Sequence, residues 1–211
     1  MISDDDLYAK RTIRQLSEYI QNVKTAVNKD KNEKAKANLK KGNYKKFLEE
    51  LIPLLIYGKE KYGIDSSNYF QLIKGNQAYD AIISDKYSEI EIVEITFPID
   101  GKEENIDAKV LNNRGYGKIR LLDDFGQNEV KRRILEKAKD KSLKNYIGKT
   151  LIIILDPYPF FEMDDEDDLL VIGEIAEELK KIKYSANCVY LIVLPITTNS
   201  KVYNSFLIAI K

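Results

Sequence analysis

The chain has no histidine among its 211 residues and a single cysteine, and these two shortages remove most familiar enzyme chemistry. Without imidazole there is no Ser-His-Asp or Cys-His nucleophile system, no histidine general base and no zinc site built on ring nitrogens. Cys188 has no partner for an intramolecular disulfide. It heads the apolar run Cys188-Val189-Tyr190-Leu191-Ile192-Val193-Leu194, which reads as a packed strand rather than the setting of a reactive thiol. No apolar run approaches the roughly 18 residues of a membrane span. The start, Met1 to Asp6, is acidic, unlike a secretory leader, so the expectation is a cytoplasmic protein without a membrane partner. Chemistry is left to carboxylates, lysine, tyrosine and hydroxyls, and a carboxylate-held Mg²⁺ or Mn²⁺ is the natural engine.

There is no net charge of either sign to draw a partner: Lys+Arg and Asp+Glu both number 34. Their distribution is uneven. Between Lys24 and Lys46 stand nine lysines against two acids, Asp30 and Glu33. Such a segment either attracts nucleic acid phosphates or is a solvated connector. At the other extreme, Glu162-Met163-Asp164-Asp165-Glu166-Asp167-Asp168 is almost wholly acidic. It lacks the glycine turn and terminal Glu of a calcium loop, and it reads as acids at the start of the next helix, where they meet the positive end of the dipole.

Ser3-Asp4-Asp5-Asp6 is a helix start, and Leu7, Ile13, Leu16, Ile20 and Val23 follow at near-helical spacing. The amphipathic helix so predicted would suit a homodimer contact. A second helix is predicted from Asn43 to about Tyr62, with Phe47, Leu51, Leu54 and Leu55 on its apolar face and Gly63 ending it. The pattern then switches to strands at Tyr69–Lys74, Tyr79–Ser84 and Glu89–Phe97. After a weakly patterned insert over 99–124 come a helix from about Gln127 to Tyr146 and a strand at Thr150–Leu155. The last elements are a helix from about Asp167 to Lys183 and strands at Val189–Leu194 and Tyr203–Ile210. This order predicts an α/β fold: a mixed central β-sheet flanked by helices over residues 43–211, with residues 1–42 as a helical, lysine-rich N-terminal extension.

Two of the strands carry an acid among apolar neighbours: Asp80 in Tyr79-Asp80-Ala81-Ile82-Ile83, and Glu94 in Ile90-Glu91-Ile92-Val93-Glu94-Ile95-Thr96. An acid in such a place is costly unless it is paired, hydrogen-bonded or metal-bound. Glu94 and Thr96 share one face of their strand, while Glu91 lies on the other, and the alternation leaves open which acid serves a site.

With Asp80 on the second strand and Glu94-Ile95-Thr96 on the third, the chain resembles the PD-(D/E)XK nuclease superfamily, whose fold is restriction-endonuclease-like, over residues 43 to about 195. The resemblance implies a metal-dependent nuclease acting on DNA, with Mg²⁺ or Mn²⁺ held by Asp80, Glu94 and the Ile95 carbonyl, and with Glu49 or Glu50 on the preceding helix as an accessory. Thr96 stands where that family has lysine. Threonine holds a water by hydrogen bonds but supplies no positive charge. Lys131, Lys137 and Lys141 on the next predicted helix are candidates to replace it, Lys131 first. The alternative is a non-catalytic module of the same fold that binds nucleic acid or a protein partner.

Three smaller features were weighed. Arg114-Gly115-Tyr116-Gly117-Lys118-Ile119-Arg120 is a glycine-bearing turn with solvated charges, or else a grip on a nucleic acid backbone. Gly148-Lys149-Thr150 leads into a strand and lacks the upstream glycine of a phosphate loop. Asp156, at a strand end before Pro157, is a minor site candidate.

Overall fold

A computed structural model describes residues 2–75, 77–98, 106, 109–110, 112, 124–157, 168–197 and 202–211. Two compact units emerge: Met1–Ile95 with Ile99–Ile119, and Thr96–Pro98 with Arg120–Lys211. The N-terminal 42 residues thus belong to the first unit.

The first unit begins with α1 (Asp4–Leu7), whose Ser3 cap accepts from the Asp6 amide as the acidic start predicts. The expected long helix does not run on from there. A two-residue strand β1 (Arg11–Thr12) intervenes, and α2 (Ile13–Lys29) starts afresh on a reciprocal Thr12–Gln15 capping box. Asp30 then caps α3 (Lys31–Asn38), which buries no residue. Next come α4 (Tyr44–Lys46), a π-helical turn (Phe47–Leu51) and α5 (Ile52–Tyr62), ended by Gly63 at φ +80°, a backbone region open to glycine. Strands β2 (Tyr69–Leu72), β3 (Ala81–Ser84) and β4 (Glu89–Thr96) follow, and β1 to β3 join their chain neighbours antiparallel up to β4.

The apolar stripe of α2 is used inside this unit. Leu7, Ile13, Leu16 and Ile20 are all at most 3% exposed, each contributing on the order of 1.5–3 kcal/mol by burial. The face expected to make a homodimer is therefore covered by the chain's own core. α2 packs on α5, and the contact is close: a Cβ on Gly58 would lie 2.8 Å from Phe70 Cε1 and 3.3 Å from Ile13 Cγ1. Phe47, Leu51, Leu54 and Leu55 are buried as their spacing predicts.

The second unit contains α6 (Asp124–Ser142), β5 (Lys149–Leu155), α7 (Asp168–Lys180), β6 (Cys188–Val193), the short pair β7 (Ile196–Thr197) and β8 (Val202–Tyr203), and β9 (Phe206–Ala209). β5 and β6 run parallel, and β9 adds antiparallel to β6, giving a mixed sheet. Ile134 and Ala138 of α6 and Ile172, Ile175 and Leu179 of α7 cover the face carrying Leu151, Ile153, Val189 and Leu191. Ile152, Ile154 and Ile192 on the other face are buried too, as the continuous apolar runs predict. The chain is α/β, with strands of both orientations flanked by helices. Two expectations are corrected. The helix predicted from about Gln127 to Tyr146 ends at Ser142, so Leu143 lies beyond it and is 87% exposed. The single strand predicted over 203–210 is two, interrupted at Asn204-Ser205, one pairing with β7 and the other with β6.

Gly58 and Gly173 should respond oppositely to alanine. Both gain about 1 kcal/mol of helix propensity, but at Gly58 the new methyl must displace the fully buried Phe70 ring, an overpacking of about 1–3 kcal/mol, whereas nothing lies within 4 Å at Gly173. Urea unfolding should place Gly58→Ala below wild type and Gly173→Ala above it.

Candidate active site

Asp80 stands one residue outside the β3–β4 ladder, whose register ends at Ala81↔Val93. Its amide donates to the Val93 carbonyl at 2.9 Å and its own carbonyl accepts from the Ile73 amide at 2.9 Å. The next β4 amide, Ile95 N–H, donates to the Asp80 carboxylate at 2.8 Å. A side-chain oxygen thus takes the place of a ladder carbonyl, and the strand edge aims the carboxylate. A carboxylate has about four acceptor positions, of which this bond takes one.

Glu94 and Thr96, on one face of β4 by strand alternation, are 9% and 3% exposed. Glu91, on the other face, is fully engaged. Tyr57 and Lys61 donate to Oε1 at 2.8 Å each, and Tyr62 donates to Oε2 at 2.6 Å. Edge-on packing of Tyr57 on Tyr62, and of Tyr62 on Phe70, holds those donors in place. These three donors make Glu91 part of a half-buried hydrogen-bonded network that ties α5 to β4.

The π-turn brings Glu50 to Asp80. Burial, and then the Asp80 carboxylate, push the Glu50 carboxyl above the usual carboxylate range, although Lys46 opposes both. Lys46 Nζ donates to Glu50 Oε2 at 3.2 Å. Burial pulls the Lys46 ammonium down, but Glu50 beside it, with Tyr8 and Asp80, outweighs burial and holds it above the usual lysine value. Glu49, by contrast, is tied to Lys40 at 2.9 Å, so of the two accessory acids only Glu50 is shown acting on Asp80. A helical-wheel reading cannot foresee this, since a π-turn inserts a residue and rotates everything before it relative to α5. Lys46 was hidden in the lysine-rich stretch for the same reason.

The lysine candidates on α6, with Asp156 and Gly148, belong to the second unit. Lys131 belongs to the second unit, where its ammonium pairs with Glu174 at 2.9 Å. Lys137 is exposed, and Lys141 approaches the Tyr146 ring at 5.9 Å. Asp156 is exposed after β5. Gly148, at φ +78°, turns the chain into β5 as expected. The Arg114–Arg120 segment and residues 162–167 lie outside the described residues.

Among the described residues no group of three or more acidic or cysteine side chains is placed to hold a metal ion. The oxygen donors at Asp80, Glu94 and the Ile95 carbonyl still suit a hard divalent ion, because Mg²⁺ is commonly held through one or two carboxylates and keeps several waters. The mutual repulsion of Glu50 and Asp80 is the observation on the protein's side that favours a cation there. Comparison with protein-family models, curated proteins and solved structures finds no match to the chain.

Because the folded-state value of Glu50 is raised, its contribution to stability is fully present below the unfolded carboxylate value and is lost as pH rises through the folded one. Glu50→Gln removes that loss. Urea midpoints should show the variant gaining on wild type between about pH 4 and about pH 7, and a constant gap would contradict the placement of Glu50.

Proposed function

We propose that the first unit hydrolyses phosphodiester bonds, most naturally in DNA, at a centre formed by Asp80, Glu94, Glu50 and Lys46. The single observation that carries this reading is Asp80 at a strand edge, oriented by the Ile95 amide and acting electrostatically on Glu50, to which Lys46 Nζ donates at 3.2 Å. It supports the reading drawn from the resemblance, in which Asp80 holds a metal and Glu50 is an accessory acid. Asp80, Glu94 and the Ile95 carbonyl would hold Mg²⁺ or Mn²⁺. When bound, such an ion lowers the pKa of a coordinated water and offsets charge on the phosphoryl oxygens.

Each protein group has its own task. Asp80 is oriented by the Ile95 amide. Glu50 bears a carboxyl whose raised value makes it a better proton acceptor at neutral pH than an ordinary glutamate. Lys46, kept charged by that acid, supplies the positive charge that Thr96 lacks, so it takes the role first assigned to Lys131. Lys24, Lys29, Lys31, Lys34, Lys41 and Lys45 are all exposed in the same unit and would attract a polyanion.

One observation favours a second reading, a non-catalytic nucleic-acid module. Lys46 already neutralises part of the carboxylate charge, as an internal counter-ion would.

Mn²⁺ calorimetry and plasmid nicking on wild type, Asp80→Asn and Lys46→Met separate the two. The expected result is metal binding and nicking by wild type, loss of both in Asp80→Asn, and retained metal binding with nicking reduced on the order of 100-fold in Lys46→Met. A wild type that binds DNA but neither Mn²⁺ nor Mg²⁺ overturns the catalytic reading in favour of the second.

A further inference from the structure

Tyr8 was not singled out by any sequence pattern, yet three elements converge on it. Its ring lies 5.8 Å from Lys46 Nζ and 6.0 Å from Lys74 Nζ, both within cation–π range. Its backbone carbonyl accepts from Gln71 Nε2 of β2 at 3.0 Å, which fixes the residue against the sheet. The half-buried side chain leaves its hydroxyl without a hydrogen-bond partner among the described residues. Lys74, just past β2, is exposed and holds Asp4 at 2.7 Å. Exposed pairs of this kind are weak and exchange readily for another anion.

Lys46 links this cluster to the candidate centre, since the same ammonium approaches Tyr8 on one side and bonds Glu50 on the other. All of these residues lie in the first unit. An anion reaching the carboxylates past Lys46 meets a free phenolic donor and a surface lysine whose present partner is a weakly held aspartate.

We propose that Tyr8 and Lys74 bind the phosphodiester next to the one presented to Lys46, with Asp4 as the competing anion that a nucleic acid displaces. The inference rests on the function proposed above and adds the residues that position the substrate. In the bound state the Tyr8 hydroxyl donates to a phosphate oxygen, the Lys74 ammonium pairs with it, and Asp4 keeps its bond from Asn43 Nδ2, 2.9 Å in the free protein. Tyr8 and Lys74 are positioning residues: they act on affinity and KM, not on the chemical step.

Asp4 makes the test discriminating. If the Lys74–Asp4 pair only anchors α1, then Lys74→Met and Asp4→Asn break the same bond and behave alike. If Lys74 binds phosphate, the two move in opposite directions. Fluorescence anisotropy with a labelled DNA oligonucleotide in metal-free buffer reads affinity, and Mn²⁺-dependent nicking reads kcat and KM.

Expected for Lys74→Met is a loss of affinity of about tenfold near 0.1 M salt, a shallower salt dependence by about one ion, and a raised KM with kcat nearly unchanged. Lys74→Arg should restore binding, Tyr8→Phe should weaken it about threefold, and Asp4→Asn should tighten it. Lys86→Met, which removes an exposed charge on the β3–β4 turn, is the control for general charge loss. The inference is overturned if Lys74→Met matches Lys86→Met, or if Asp4→Asn weakens binding as Lys74→Met does, while wild type still binds and nicks DNA. A wild type that neither binds nor nicks DNA overturns the proposed function and this inference together.

Discussion

The folding of the first unit brings the Asp80 carboxylate within electrostatic reach of Glu50. Glu50 arrives on a π-turn between α4 and α5, and Asp80 leaves the β3 ladder at its edge. Bringing two carboxylates within each other's field in a partly buried place is unfavourable, and the upward displacement of Glu50 registers it. Apolar packing elsewhere supplies the stability that permits it. Leu7, Ile13, Leu16 and Ile20 lie at most 3% exposed, and Phe70 fits against Gly58 with no room for a methyl. Without that anchorage the α5 face would relax and the carboxylates would move apart.

Two half-buried acids of the first unit, Glu91 on β4 and Asp80 at the edge of β3, are held in different ways. Glu91 receives hydrogen bonds from Tyr57, Lys61 and Tyr62, a set that satisfies a carboxylate and ties α5 to the sheet. Asp80 differs in kind: the Ile95 amide donates to it, and its charge acts on both Glu50 and Lys46. Saturation marks a structural charge, whereas residual repulsion marks a place suited to a ligand.

Much of the fold was legible because it rests on local rules. Gly63 ends α5 where its positive φ is needed, and the apolar runs at 150–155 and 189–194 became buried strands. The break between α1 and α2 was concealed, since Leu7 and Ile13 both face the core and so mimic one continuous helix. The Thr12–Gln15 capping box was its available signal. In the candidate site, Asp80 was readable from its apolar flanks, whereas its distinction from Glu91 depended on tyrosines about 30 residues away in sequence. Lys46 and Tyr8 were beyond reach. Their roles depend on the π-turn's change of phase and on the close of α1 against β2, neither of which leaves a periodic trace.

The charge balance at Glu50 bears on whether Lys46 merely neutralises the cluster. An internal counter-ion sufficient for its partners would hold them at or below their ordinary values, as Arg132 and Arg133 do for Glu129, whose carboxyl is lowered to about 2. At Glu50 the sign is reversed: burial and Asp80 prevail over a lysine in direct hydrogen-bonding contact. Lys46 is also shared with Asp80 and the Tyr8 ring, which divides its charge among several partners. Lys46 therefore does not return Glu50 to its ordinary value. The divalent cation proposed for this place would add positive charge and, unlike a second lysine, would bring its own waters. The same field that makes Glu50 unfavourable in the free protein is what would draw such an ion to Asp80.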